Sequence, residues 1–256
     1  MVCGKIIPAS TVTIEIDPTT RRMIRKGVAH ELDPAAASAV EEALRLMEKE
    51  GGTVTLVTMG FNEITIGIRT ALAMGATSAV HIFDDALAGS DALATAKALA
   101  AAISKKPFDL IICGTESSDS YSGIVPGQVA RLLGVPPVTF ANEMTVEGTT
   151  LSIKRQSESG YDVVDAELPA LVTVTSGINE PRYPQLKGIM AAKRKEILEY
   201  SVEDLGLTAD DVGEQGAREK VLEVGRPPKR DAGEVVEDEG EGGKRIADFL
   251  GEAKVI

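Results

Sequence analysis

Apolar positions along the chain follow two alternating patterns. Short aliphatic and β-branched runs at residues 2–7, 53–59, 79–83 and 109–113 read as strands. The stretches between them place apolar residues on one face at helical spacing. The first helix opens at Asp33 and Pro34, an N-cap followed by proline at the first helical position. It continues through Val40, Ala43, Leu44, Leu46 and Met47 and stops at Gly51 and Gly52. A second helix, capped by Asn62 and ended by Gly75, carries Ile64, Ile68, Ala71 and Leu72. Residues 90–103 and 124–133 predict two more helices, and 137–140 a short strand. Residues 12–16 alternate with period two and are expected to pair with Met23 and Ile24 across a turn at Asp17 and Pro18.

Strands alternating with helices imply right-handed crossovers and an α/β fold, a doubly wound and mostly parallel sheet. The unbroken apolar run Leu110, Ile111, Ile112, Cys113 fits a strand covered on both faces. The period changes after residue 144. Residues 149–155, 163–167 and 170–175 read as consecutive strands with no helix between them, an antiparallel extension of the sheet. From residue 201 the character shifts again. Ser201 and Asp204 resemble a capping box, and residues 208–211 can start another turn. Residues 226–243 hold prolines, glycines and an acidic run at 234–241, too little apolar area to order themselves. A small final helix is expected over 244–253. The expected division is an α/β domain over 1–200 and a C-terminal arm over 201–256.

Composition narrows the function classes. The chain has 256 residues, 43% hydrophobic, enough for one large core; with no Trp and 4% aromatics, packing rests on Val, Ile, Leu and Ala. A net charge of -12 argues against nucleic acid as the main partner. Two cysteines, Cys3 and Cys113, sit in apolar runs and fit a reducing compartment. His30 and His81 lie far apart and no CxxC occurs, so no metal site is expected. No signal peptide or bilayer-spanning run is visible, and a soluble, cytoplasmic protein is expected.

Two segments carry candidate chemistry. The first is the loop after the strand at 109–113. Gly114, Asp119, Ser120, Ser122, Gly123, Ile124 and Val125 mark it. Small residues let backbone amides approach an anion, and the helix start at Gly123, Ile124 and Val125 offers unpaired N–H groups and a positive dipole end. Asp119 would repel a phosphate at close range and is expected to cap the loop or contact a ribose. The loop has neither a P-loop nor a GxGxxG pattern, and a polar connection without a ligand fits it equally well. The second is the segment 179–195, a turn with two prolines and a glycine. It carries Tyr183, Leu186, Ile189 and Met190 and ends in the basic cluster Lys193, Arg194 and Lys195. Large apolar residues in such a turn point to a docking surface or, more simply, to a loop tucked under its own helix.

The ordered series of segments resembles the electron transfer flavoprotein beta subunit over most of the chain. It includes residues 3–8, the helix from Asp33 and Pro34, residues 68–76, the loop 114–127, and residues 168–174 running into 179–195. The resemblance implies an adenine-nucleotide α-hydrolase-like sheet and a heterodimer with an alpha subunit that holds most of the FAD. It implies that this subunit binds AMP, with the loop 114–125 on the phosphate and Cys3, Asp33 and Met59 near the adenosine. It implies docking by Leu186 on donors of the acyl-CoA dehydrogenase type, a downstream quinone oxidoreductase or similar acceptor, and an arm that wraps the alpha subunit. Electron transfer needs no side-chain nucleophile or acid–base pair, and no catalytic residue is expected. An electron-bifurcating relative would carry a second FAD here and take electrons from NADH. Such relatives often show Asp-Gly-Asp-Thr in the phosphate loop, where this chain has Asp119, Ser120, Tyr121 and Ser122. A universal-stress-type ATP-binding regulator, without an alpha partner, is the alternative of another class.

Overall fold

The computed structural model describes every residue except 226, 227, 230–232, 234, 236 and 256. The chain divides into two units, Met1–Val221 and Leu222–Ile256.

Within Met1–Val221 the strands are β1 (Val2–Cys3), β2 (Ile6–Pro8), β3 (His30–Leu32), β4 (Thr55–Met59), β5 (Ser78–Ile82), β6 (Leu110–Gly114), β7 (Pro137–Glu147), β8 (Thr150–Ser157), β9 (Gly160–Glu167), β10 (Ala170–Val174) and β11 (Ile197–Tyr200). The helices are α1 (Pro34–Glu50), α2 (Thr65–Met74), α3 (Ala92–Ile103), α4 (Val125–Leu133), α5 (Leu186–Ala192) and the single turn α6 (Gly213–Gly216). Among the described residues, nine strands form one sheet in the order β11-β5-β4-β1-β6-β10-β7-β8-β9. Pairs from β11 to β7 are parallel, and β7, β8 and β9 are antiparallel. The doubly wound, mostly parallel sheet expected from the apolar pattern is therefore the observed fold.

The helices cover both faces because alternate residues of each strand feed two cores. Val2, Leu56, Ile112 and Val172 pack with α1 and α2 on one side. Val57, Ile111, Cys113 and Leu171 pack with α3 and α4 on the other. Burying a Leu or Ile fully contributes about 1.5–3 kcal/mol, and Leu44, Leu56, Ile68, Ile111 and Ile112 are all fully buried. Asp33 caps α1 as expected, accepting the Ala35 N–H at 2.8 Å, and Gly51 and Gly75 end α1 and α2.

Several local expectations differ from the structure. Residues 2–7 do not form one strand. After Gly4 donates to the Val57 carbonyl, the chain leaves the sheet, and β2 pairs antiparallel with β3 in a separate two-stranded ribbon. Residues 12–16 and Met23 share only one bridge, Ile16 with Met23. Asn62 supplies no side-chain cap; a short 3-10 turn, Asn62–Ile64, leads into α2 instead. The short strand at 137–140 extends to Glu147, with a bulge where Phe140 takes φ 61° and its N–H donates to Thr173 Oγ1. β10 is not part of the antiparallel extension. It inserts between β6 and β7, parallel to both, and all five of its residues are buried. β11, unforeseen, adds a parallel edge strand beside β5.

Residues 201–221, expected to begin the arm, pack on the first unit. Ser201 and Asp204 do bond reciprocally, but they close a turn rather than start a helix. Val202, Leu205 and Val212 are buried in the α3/α4 core, which is why this stretch stays. In Leu222–Ile256 the expected final helix is α7 (Gly242–Glu252), with the Asp238 carboxylate accepting the Gly240 and Gly242 N–H groups at 2.8 Å. The acidic run at 234–241, expected not to order itself, lies partly outside the described residues. Among the described residues no helix is long and apolar enough to cross a membrane, and no group of three or more metal-capable side chains occurs.

Candidate functional site

The order of the parallel strands fixes where a ligand fits. From β1 the chain builds β4 and β5 on one side and then crosses to β6 on the other. The carboxyl ends of β1 and β6 therefore splay at the reversal point, and open parallel sheets bind ligands in that crevice.

One wall of the crevice is the loop between β6 and α4. Its peptide groups turn twice through left-handed backbone, at Tyr121 (φ 49°) and Gly123 (φ 64°), before α4 begins. A β-carbon costs strain there, so glycine suits the second position. The first intrahelical bond of α4 runs from the Gln128 N–H to the Ile124 carbonyl. Helix geometry leaves the Val125 and Gly127 N–H groups to point outward, and Pro126 contributes none. The dipole of α4 adds partial positive charge at the same place.

The loop is tied to the rest of the crevice by two carboxylates. Asp33 Oδ2 accepts the Ser118 N–H at 2.7 Å while Oδ1 caps α1, so both oxygens of this buried residue are engaged. Asp119, its side chain 2% exposed, bridges Lys5 Nζ at 2.6 Å and Arg25 Nη2 at 2.7 Å. Lys5 also donates to Ser117 Oγ at 3.2 Å and Ser120 Oγ at 3.1 Å. Burial pushes the Asp119 carboxyl up, but the Lys5 and Arg25 cations outweigh it and hold the pKa down to about 2. Burial lowers the Lys5 pKa, against the pull of Asp119. Asp119 and the nearby Asp33 balance Lys5 and Arg25, so the groups this cluster leaves for a ligand are unpaired amides and serine hydroxyls. Outward-pointing amides at a helix start, with hydroxyls and a lysine beside them, are donors of the kind that suit an anion.

The remaining predicted residues lie around this rim. Cys3 ends β1, in register with Cys113, which precedes Gly114. Met59 ends β4, one strand further over. Ser122 and Ile124 are exposed in the loop and at the start of α4. Beside them lies a groove of about 430 Å³ lined by Ile124, Gly127, Gln128, Arg131, Phe140 and Thr173, among others. Asp119 neither caps the loop through its backbone nor stands free for a ribose; its oxygens hold Lys5 and Arg25.

The second candidate segment forms α5 and its approach. Tyr183 and Leu186 are 93% and 76% exposed, and Ile189 and Met190 also face outward, while Ala192 is buried. A β-carbon on Gly188 would come within 2.3 Å of the Ala73 carbonyl oxygen, so glycine here lets α5 lie flat on α2. The segment is clamped at both ends. Arg182 forks onto Glu41 (Nε–Oε2 2.7 Å, Nη2–Oε1 3.2 Å) and reaches Glu48 through Nη1 and Nη2. Its pKa is raised by Glu48 and Glu41. Asn179 Nδ2 donates to the Ser38 carbonyl and to Glu42 Oε2, both at 3.0 Å. At the far end Arg69 donates to the Ala192 and Lys195 carbonyls, and Lys195 Nζ donates to the Leu72 and Ala76 carbonyls at the end of α2. Lys195 thus turns inward, and the basic cluster is thinner at the surface than its sequence suggests.

Comparison with known proteins shows the family. The family model described as electron transfer flavoprotein domain matches residues 20–205. The chain belongs to the electron transfer flavoprotein family. It is similar to a Mycobacterium leprae (strain TN) protein named electron transfer flavoprotein subunit beta, 42% identical over 231 residues, 88% of this chain and 87% of the relative. A Megasphaera elsdenii protein of the same name is 37% identical over 265 residues, covering all of this chain and 97% of its own. Caffeyl-CoA reductase-Etf complex subunit CarD of Acetobacterium woodii is 37% identical over 238 residues, 92% of this chain and 90% of its own.

Within this electron transfer flavoprotein chain, sequence reasoning missed Lys5, Arg25, Arg182 and Arg69. Lys5 had a usable signal, since a cation just past the first strand of a doubly wound sheet falls at the ligand rim. Arg25 and Arg69 had none, because their partners lie 94 and at least 123 residues away in sequence.

Proposed function

We propose that this chain is the beta subunit of a two-chain electron transfer flavoprotein, paired with an alpha subunit that carries the redox-active FAD. The subunit binds AMP in the crevice between β1 and β6. The Val125 and Gly127 amides, the Ser120 and Ser122 hydroxyls and Lys5 meet the phosphate, and Cys3, Asp33 and Met59 lie toward the adenosine. The nucleotide ties the loop 114–125 to the strand ends and stiffens the base on which the flavin-bearing partner moves. The protein's contribution is orientation and electrostatics, with the electron chemistry left to the flavin. Tyr183, Leu186, Ile189 and Met190 form the face that meets a donor of the acyl-CoA dehydrogenase type. A small apolar anchor gives recognition with fast release, which suits a carrier. The segment Leu222–Ile256, with the exposed Ile246 and Phe249 of α7, wraps the alpha subunit. A quinone oxidoreductase or similar acceptor takes the electrons downstream.

What carries this reading is one combination: an anion crevice and a clamped, exposed apolar helix on the same rigid unit, in a chain similar over most of its length to proteins named as beta subunits. The test is mass spectrometry of nucleotides released from the purified two-chain protein. One AMP and one FAD per heterodimer is the expected result. Recovery of ATP from a homodimer without flavin would overturn the reading in favour of a stress-type regulator. A second reading, electron bifurcation with a second FAD in this subunit, draws support from the relative named as part of a caffeyl-CoA reductase complex. Two FAD and no AMP would select it.

A further inference from the structure

The floor of the crevice holds a pair of thiols, Cys3 and Cys113, whose sulfur chemistry the proposed function does not use. Cys3 and Cys113 are the only cysteines in the chain. They are direct partners in the parallel pairing of β1 with β6. Facing residues in neighbouring parallel strands point to the same side of the sheet, and both of these join the α3/α4 core. Neighbouring strands lie about 4.8 Å apart, inside the roughly 4.4–6.8 Å window of Cα separations that a disulfide spans. Side-by-side β-carbons must close by roughly 0.5–1 Å for the bond to form. The strand able to give is β1, two residues long and followed by Gly4.

The two thiols are not equivalent. Cys113 is buried, whereas Cys3 is half-buried at the crevice. The interaction with Cys3, and then burial, push the Cys113 thiol well above its ordinary range, so it stays protonated beside its β1 partner. An oxidant entering by the crevice meets Cys3 first.

We propose that Cys3 and Cys113 form a redox-active dithiol that closes into an intramolecular disulfide when the crevice is empty and a low-molecular-weight disulfide is present. The Cys3 thiolate attacks one sulfur of the oxidant R–S–S–R, giving Cys3–S–S–R and releasing one thiolate, which takes up the Cys3 proton. The Cys113 sulfur then attacks the Cys3 sulfur, and the buried Cys113 proton passes to the second thiolate as it is displaced, so that it leaves as RSH. Two protein thiols are oxidised by two electrons, and the oxidant leaves as two molecules of RSH. A nucleotide over Cys3 blocks the first step, so occupancy guards the pair. This second half rests on the nucleotide reading given above; the thiol chemistry does not.

The experiment uses the purified two-chain protein, freed of nucleotide by gel filtration in mild denaturant and refolded, with 2-hydroxyethyl disulfide as oxidant. Samples are acid-quenched, unfolded, alkylated with N-ethylmaleimide and mapped by peptide mass spectrometry. The expected product lacks both alkyl adducts, shows the linked Cys3 and Cys113 peptides, and recovers both thiols with dithiothreitol. Cys113→Ser should stop at a mixed disulfide on Cys3, and Cys3→Ser should not react. Full alkylation of both cysteines in the wild-type chain, or a mixed disulfide on Cys3 that never resolves, overturns the dithiol without relying on any variant. AMP at ten times its Kd should slow the reaction roughly tenfold. Equal rates with and without AMP, while the disulfide still forms, overturn the guarding role and count against the nucleotide site, not against the thiol pair.

Discussion

Asp119→Asn tests the electrostatic centre of the crevice. The substitution keeps shape and removes the charge that Lys5 and Arg25 share, leaving two cations facing each other around a half-buried site. The carboxyl titrates at about 2 in the folded chain against 3.8 for a free side chain. At 1.36 kcal/mol per unit, that depression corresponds to at most ~2.4 kcal/mol. Lys5 and Arg25 are each about one-third exposed, 37% and 31%, so solvent screens the pair and roughly 1–2 kcal/mol remains. The sign follows from the direction of the shift. A lowered carboxyl pKa contributes stability that is complete above the unfolded value, and it is lost as pH falls through the folded one. The gap between wild type and Asp119→Asn should therefore be full at neutral pH and shrink between 3.8 and about 2. Urea unfolding of both proteins across that range, followed by circular dichroism, measures it. High salt should narrow the gap at neutral pH as well. A gap that stays constant from neutral to acid pH, or one below about 0.5 kcal/mol throughout, would refute the ion-triad account.

Arg182→Ala removes a forked contact from the buried Glu41 carboxylate. Because Arg182 is one-third exposed and Arg45 stays on Glu41, the expected loss is about 1–2 kcal/mol, with faster amide exchange over residues 179–192. Arg182→Lys should recover only part of it, since an ammonium lacks the planar pair of N–H groups that meets both Glu41 oxygens while reaching Glu48; full recovery would disprove the clamp. Leu186→Ala should leave unfolding within about 0.5 kcal/mol of wild type, because the side chain is exposed. It should slow reduction by an acyl-CoA dehydrogenase about tenfold, the equivalent of about 1.4 kcal/mol, with flavin content unchanged. Unaltered reduction kinetics would eliminate Leu186 as the anchor.

From Asp33 to residue 133 the strands and helices were legible because each apolar run stands between strong stop signals, Asp33 and Pro34, Gly51, Gly75 and Gly114, whereas the separate ribbon of β2 and β3 was not. β10 was legible in part. It was read as a strand but assigned to the antiparallel extension because it follows two such strands, although its five buried residues mark a strand covered on both faces. Neighbour order in the chain lost to burial. β11 was hidden because only half of an edge strand is buried, and Ile197, Leu198 and Tyr200 make too short a run to stand out from the basic segment before it. The loop at 114–125 was placed correctly as a strand-to-helix connection. The work of Asp119 inside it was not readable, since a carboxylate in a polar loop looks the same whether it meets a cation or a sugar.

By itself, then, the sequence determined the local elements, the alternation that makes the sheet parallel, and the candidate segments 114–125 and 179–195. These follow from periodicity, capping and chain stiffness, all of which act over a few residues. Tertiary structure alone decided which charges meet. Lys5, Arg25 and Asp119 converge because strand order brings the ends of β1 and β6 together, and Arg182 finds Glu41 across 141 residues because α1 lies against the approach to α5. The same strand order sets Cys3 opposite Cys113. Hydrogen bonds need contact and salt screens Coulomb attraction over about 10 Å, so both read distance in space, and the chain's own order carries almost none of that information.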